Sequence, residues 1–180
     1  TENFGTTVDY ANPSTPLEIN GVLYANIANT RNVVALDATS GQVLWLYRYD
    51  EGDRYDEAPR KGPGRGVAFY SKDDKQRVID ISPGYQMVSL DAETGIPDAE
   101  FGENSIVDLY QGLRNADDPR YPYPDIGISA PPFVINDVIV VGAAHRTGGR
   151  PRSKFNTKGD IRGFDVHSGE LLWTFHTIPE

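Results

Sequence analysis

The sequence predicts an all-β fold: a β-propeller, of which this chain carries about three four-stranded antiparallel blades in one domain spanning residues 1–180. Two observations carry that prediction. An Asp-x-x-x-Gly turn recurs three times, and a set of short, hairpin-linked strands precedes each copy. The first copy is Ala35-Leu36-Asp37-Ala38-Thr39-Ser40-Gly41-Gln42-Val43-Leu44-Trp45. The second is Ser89-Leu90-Asp91-Ala92-Glu93-Thr94-Gly95, and the third is Gly163-Phe164-Asp165-Val166-His167-Ser168-Gly169-Glu170-Leu171-Leu172-Trp173. Asp, Gly and Trp keep the same spacing in the first and third copies. Repeats of this kind decide a fold before any single element does.

Each copy reads as strand, tight turn, strand. The Asp ends an apolar strand, where its carboxylate can accept hydrogen bonds from backbone N–H groups of the turn. Gly41, Gly95 and Gly169 stand where the turn needs positive φ. In the first unit, Thr15 to Ile19, the Asn20-Gly21 turn and Val22 to Ile27 form a hairpin, since Asn-Gly is a strong two-residue hairpin signal. Asn32 to Asp37 and Gln42 to Arg48 complete four strands. The third unit repeats the plan with Pro132 to Ile135, Val138 to Ala143, Ile161 to Val166 and Glu170 to His176. The second runs Gly66 to Tyr70, Arg77 to Ser82 and Gln86 to Asp91. Pro97 falls where its fourth strand should begin and leaves that strand unassigned. The units are therefore placed at about 13–48, 65–99 and 130–177. No run with helical periodicity stands out.

The Asp-to-Asp spacings are 54 and 74 residues, so the units are padded by loops: Tyr49 to Gly64, Asp98 to Ile128 and His145 to Gly159. Long loops on a rigid repeat scaffold are where function concentrates. The net charge of −9 and the lack of a basic stripe argue against a nucleic-acid partner and against an anionic membrane surface. With no cysteine, disulfides and thiolate-bound metals are excluded. The longest apolar stretch, Val138 to Ala144, is far shorter than the ~20 residues of a membrane helix. No signal peptide opens the sequence, which reads as an excerpt of something longer.

The Ala-x-Asp-x-x-x-Gly-x-x-x-Trp pattern resembles the tryptophan-docking motif of quinoprotein dehydrogenases, the enzymes that carry pyrroloquinoline quinone (PQQ). The resemblance extends through Thr15 to Tyr24, Gly64-Arg65-Gly66-Val67-Ala68-Phe69-Tyr70, Pro83 to Asp91, Val140 to Arg146, Gly159 to Asp165 and Trp173 to Pro179. It is nearest the sugar-oxidising, glucose-dehydrogenase-like branch. The alcohol-oxidising branch has two adjacent Cys before the Arg, where this chain has Gly62-Pro63-Gly64. The resemblance implies an eight-bladed propeller, with the other blades outside this chain and each motif Trp stacked on the neighbouring blade. It further implies oxidation of a sugar or alcohol hydroxyl by hydride transfer to the C5 carbonyl of PQQ, polarised by calcium or magnesium. It also implies a periplasmic location, attachment to the bacterial inner membrane through segments outside these residues, and ubiquinone or a cytochrome as electron acceptor. By the same resemblance the catalytic Asp and the cation paired with the quinone lie beyond Glu180.

Three places are implied to touch the cofactor. Arg65 occupies the Arg of the family's Arg-Gly-x-Ala pattern, and a guanidinium fork suits the three carboxylates of PQQ. The alternative is a turn Arg held by a surface carboxylate. Ser129, in Gly127-Ile128-Ser129-Ala130-Pro131-Pro132, matches a hydroxyl contact of the family; otherwise it is an ordinary turn residue. Ala143, Ala144 and His145 stand where the alcohol-oxidising branch has Gly-Ala-Glu, with backbone against the quinone and a metal-binding Glu. No acid follows here, which withdraws the metal ligand but keeps the small residues; a His at a strand end is otherwise structural.

Two charged clusters read as solvated surface. The acidic run Asp50 to Glu57 lacks calcium-loop spacing. Arg146, Arg150, Arg152, Lys154 and Lys158 form a basic group whose alternative is steering of an anionic cofactor. His167 is expected to be exposed and inert, and His176 is left open. The rival to an enzyme is a non-catalytic scaffold of the outer-membrane assembly lipoprotein type. Those proteins use similar repeats but lack the Arg-Gly-x-Ala element.

Overall fold

A computed structural model describes residues 14–117, 123–145 and 153–179. It contains three four-stranded antiparallel sheets in chain order. Sheet one is β1 (Leu17–Ile19), β2 (Val22–Ile27), β3 (Asn32–Asp37) and β4 (Val43–Tyr47). A five-residue helix, α1 (Asp53–Glu57), follows. Sheet two is β5 (Ala68–Lys72), β6 (Lys75–Ile81), β7 (Gln86–Asp91) and β8 (Ile106–Asp108). β9 (Ile126–Gly127) precedes sheet three, which contains β10 (Phe133–Ile135), β11 (Val138–Val141), β13 (Ile161–Asp165) and β14 (Leu171–Phe175). β12 (Ala144–His145) leaves that sheet to pair with β9. Among the described residues no helix is long and apolar enough to cross a membrane.

The repeated turn has the predicted chemistry in all three sheets. Asp37 Oδ1 accepts from the amides of Thr39 and Ser40 at 3.1 and 2.7 Å and from the Ser40 hydroxyl at 2.7 Å. Asp91 does the same with Thr94, and Asp165 with His167 and Ser168. The amides of Gly41, Gly95 and Gly169 close the turns onto the Asp carbonyls at 2.8–2.9 Å, each at φ of 71–73°. The bond from the Ser40 hydroxyl, seconded by its amide, holds the Asp37 carboxyl below the usual carboxylate range.

The unassigned fourth strand of the second unit is split in two. Asp91 N donates to Ile96 O and Asp98 N to Ser89 O, so the ladder starts on either side of Pro97 and asks no N–H of the proline. The chain then leaves through 99–105 and returns as β8, opposite β7. The second sheet therefore ends at Asp108, beyond the 65–99 span read from the sequence.

The hydrophobic cores lie between the sheets. Tyr24, Val33, Ala35, Trp45, Val78, Val88 and Leu90 join the first sheet to the second. Ile79, Met87, Phe101, Leu109, Ile139, Val141 and Phe164 join the second to the third. Trp45 is 9% exposed and its Nε1 donates to Ala92 O at 3.0 Å, which sets the ring on the Asp91–Gly95 turn of the next sheet. The second sheet has no Trp to offer, and Phe101 and Val107 cover Gly169 in its place.

Trp173 departs from the expectation of burial and is 42% exposed. Its ring lies over Gly163 of its own sheet, and among the described residues no further sheet stands beyond β14 to cover it.

The antiparallel order sorts the connections. The Asp-Gly turns and the β1–β2, β5–β6 and β10–β11 hairpins lie at one end of the sheets. The three long connections, 49–64, 109–128 and 142–160, all join strand termini at the other, which we call the entry end. The first strands of consecutive sheets are neighbours. Thr15 N donates to Arg65 O at 3.1 Å, and Asp137 accepts from the Tyr70 hydroxyl at 2.8 Å and from Lys72 at 2.6 Å.

Candidate cofactor-binding site

Arg65, Ser129 and the Ala143–His145 segment all lie at the entry end. Arg65 precedes β5 by three residues, and its carbonyl accepts from Thr15 N of the sheet before. Its side chain is exposed and forms no hydrogen bond or ion pair with the described residues. Ser129 is half-buried two residues after β9. Ala144 pairs with Gly127 and His145 with Ile126, so the short β9–β12 ladder brings the Ser129 segment against the 143–145 segment. His145 Nδ1 donates to Asp125 O at 3.2 Å, which fixes the ring while leaving the residue exposed. The Gly142 carbonyl is held from behind by the Tyr85 hydroxyl at 2.7 Å.

No hydrogen bond or ion pair joins Arg65 to that ladder among the described residues; Arg60 is bonded to it. The Arg60 guanidinium donates to the His145 carbonyl, and a Cβ on Gly127 would stand 3.3 Å from the Arg60 stem. Among the described residues the buried Arg60 Nε has no hydrogen-bond partner. Sequence reasoning missed this residue because it belongs to no motif. The available signal was a cation on each side of the Gly62-Pro63-Gly64 turn.

Beneath the 60–64 segment lies Arg31, 5% exposed, at the β2–β3 turn. It donates to the carbonyls of Gly62, Ile81, Ser82 and Arg60. Burial lowers its pKa, and the nearby carboxylates of Asp80 and Glu51 offset this. Asp80, 4% exposed, accepts from Asn26 Nδ2 at 2.8 Å. Burial pushes its carboxyl up to about 6, against the opposing pull of Asn26 and Arg31.

A carboxyl raised from 3.8 to about 6 binds its proton more tightly folded than unfolded. Its contribution to stability is complete below about pH 4 and is lost as pH rises through about 6. A tenfold change in proton affinity corresponds to ~1.4 kcal/mol, so the full swing is about 3 kcal/mol. The stability difference between wild type and Asp80→Asn, measured by urea unfolding from pH 4 to 7, should move in favour of wild type by that order as pH falls. A pH-independent difference would contradict the assignment.

A second clamp holds the neighbouring turn. Arg54 pairs with Asp108, donates from Nε to Gly84 O at 2.7 Å and lies 4.3 Å from the Tyr110 ring centroid. Glu51 accepts from the Ser82 hydroxyl at 2.5 Å and from Gly84 N. The acidic run is therefore only partly a solvated loop: Asp50, Asp53, Asp56 and Glu57 are exposed, while Glu51 is a structural acceptor.

The family model described as PQQ: Glucose/ethanol/alcohol dehydrogenase, beta-propeller domain, matches residues 2–180. The chain belongs to this quinoprotein dehydrogenase propeller family. The glycerol dehydrogenase large subunit of Gluconobacter oxydans is 26% identical over 178 residues, covering 95% of this chain and 22% of that protein. The quinohemoprotein alcohol dehydrogenase ADH IIB of Pseudomonas putida is 30% identical over 169 residues, covering 92% and 20%. The crystal structure of quinohemoprotein alcohol dehydrogenase from Comamonas testosteroni superposes with a TM-score of 0.65 at 22% identity, over 92% of this chain and 21% of that one. The chain thus spans about a fifth of the length of the curated relatives it matches.

Two cations and a run of small residues lie at the entry end of this quinoprotein propeller. Among the described residues the Arg65 guanidinium is unengaged and the buried Arg60 Nε has no partner, and Gly142 and Ala143 lead into β12. A desolvated donor of this kind costs free energy until an acceptor reaches it. Among the described residues no three His, Asp or Glu side chains converge to form a metal site.

Of the basic group, Arg146, Arg150 and Arg152 lie outside the described residues. Lys158 donates to Lys154 O at 2.6 Å, and Lys154 stands 5.1 Å from the Phe155 ring centroid. His167 is exposed, as expected, with Nε2 3.3 Å from the Tyr70 hydroxyl across the second inter-sheet seam. His176 pairs through Nδ1 with Asp160 at 3.1 Å, beside Arg114.

Proposed function

We propose that this chain forms part of the PQQ-binding wall of a dehydrogenase that oxidises a sugar or alcohol hydroxyl. The observation that carries the reading is the pair of guanidinium groups at the entry end whose donors are unused among the described residues, Arg60 against the small-residue β9–β12 ladder and Arg65 five residues on. Arg65 would pair with a carboxylate of the cofactor, and the Arg60 Nε would donate to a second acidic oxygen. The backbone at Ala143 and Ala144 would face the ring plane, and Ser129 would supply a hydroxyl. When bound, the quinone supplies a hydride acceptor; this chain's share is binding, orientation and an electropositive field. The catalytic base would lie beyond Glu180, and the electron acceptor, ubiquinone or a cytochrome, would be a separate partner. A periplasmic location goes with this reading.

The test is a reconstitution titration of the full-length apoprotein with PQQ. Arg65→Ala should weaken binding by about 1.5–3 kcal/mol, the range for hydrogen bonds to charged groups. Activity should return in part at high quinone concentration. Equal affinities for wild type and variant would remove Arg65 from the site. A wild-type protein that binds no quinone would replace the enzyme with the scaffold reading.

A further inference from the structure

We infer that Arg31 is the positioning residue of the quinone-binding segment, setting Arg60 and Arg65 from beneath; this rests on the cofactor site proposed above. Arg31 belongs to a different sheet from everything it holds. Its Nε reaches Gly62 O at 3.1 Å and its Nη2 reaches Arg60 O at 2.5 Å. Its Nη1 bridges Ile81 O at 3.0 Å and Ser82 O at 3.3 Å, at the end of β6. One planar side chain thus fastens the 60–62 backbone to the second sheet. Gly64 completes the cradle: a Cβ there would stand 3.1 Å from Arg31 Cδ and 3.2 Å from its Nε.

Both cofactor-facing cations lie on the segment this side chain pins. Arg60 carries one of the pinned carbonyls, and Arg65 follows Gly64 directly. Asp80 and Glu51 supply the countercharge without competing for the guanidinium hydrogens, whose bonds go to main-chain carbonyls. That geometry needs a planar fork of donors. A lysine keeps the charge but cannot span four carbonyls in one plane. Preorganisation of this kind raises affinity by sparing the ligand the cost of ordering the segment.

The experiment uses the full-length apoprotein with Arg31→Lys and, separately, Gly64→Ala. The second variant presses a methyl onto the Arg31 stem, at a φ of +74° that itself disfavours a side chain, and leaves the hydrophobic cores untouched. Two quantities are read: the dissociation constant for PQQ, and hydrogen exchange of the backbone amides without PQQ. Each variant should bind quinone at least about tenfold more weakly, equivalent to ~1.4 kcal/mol. Amides in 60–66 should exchange faster in each, while those of β2, β3, β6 and β7 stay at wild-type rates. Should Arg31→Lys fail to fold, Gly64→Ala decides against Gly62→Ala, whose Cβ at φ +109° meets open space and so reports backbone strain alone.

A folded variant with wild-type affinity and wild-type exchange at 60–66 overturns the inference. If Arg65→Ala weakens binding and neither of these variants does, the positioning role fails and the cofactor site stands. If the wild type binds no quinone, the site fails. The exchange data then still show whether Arg31 orders the segment.

Discussion

Replacing Trp45 with alanine is expected to destabilise the protein by about 3–5 kcal/mol, the cost of removing a large buried aromatic from a packed interface. The indole is wedged between Tyr24, 5.9 Å away between ring centroids, and the Asp91–Gly95 turn of the next sheet. Ala92 O also accepts from the Tyr24 hydroxyl at 3.1 Å, so losing the indole N–H does not orphan that carbonyl. The loss is therefore one of packing and cavity formation rather than of a hydrogen bond. Chemical denaturation should show a lower midpoint with an unchanged slope. Trp173→Ala is the internal control: its ring is 42% exposed, and its removal should cost well under the Trp45 value in this chain. Equal costs at the two positions would contradict the interface assignment.

The reciprocal change on the receiving turn should be comparably damaging. Gly95 sits at φ +71°, and a Cβ there would fall 2.6 Å from Cδ2 and Cε3 of Trp45. Gly95→Ala meets a left-handed backbone penalty of about 1–2 kcal/mol. Displacing the ring adds about 1–3 kcal/mol, as overpacking does elsewhere. The combined expectation is about 2–5 kcal/mol of destabilisation. The two substitutions must also couple. With Trp45 already alanine, the clash disappears and only the backbone penalty remains. The double variant should then be more stable than the sum of the singles by about 1–3 kcal/mol. Strict additivity would mean that the ring and the turn do not touch.

The repeat was legible because its chemistry is local. Asp37, Asp91 and Asp165 cap turns made by residues two and three positions on, and Gly41, Gly95 and Gly169 close them one residue later. Asn20-Gly21 and Asn136-Asp137 mark hairpins by the same short-range rule. The fourth strand of the second sheet was not legible, because it begins around Pro97, breaks at 99–105 and resumes at Ile106. Its register depends on where Phe101 and Val107 find Gly169, and nothing within a strand's length announces that contact. The same limit applies to the site. Arg65 could be picked out by its resemblance to a family pattern, whereas Arg60 could not, since its role comes from reaching His145, 85 residues away.

By itself the sequence determined an all-β repeat of four-stranded units, the place of each Asp-Gly turn, the three long connections and their candidates Arg65, Ser129 and Ala143–His145. Those features follow from alternation, turn chemistry and spacing over about ten residues, where backbone sterics and nearest hydrogen bonds set the outcome, and the candidates from the family resemblance. Only the tertiary structure decided which residues meet across sheets: Trp45 on Gly95, Phe101 and Val107 on Gly169, Arg31 beneath the 60–64 segment, and β12 on β9. Those pairings join residues that no periodicity relates. They are selected by the volume and donor geometry left when three sheets pack, and that information exists only once the chain has folded.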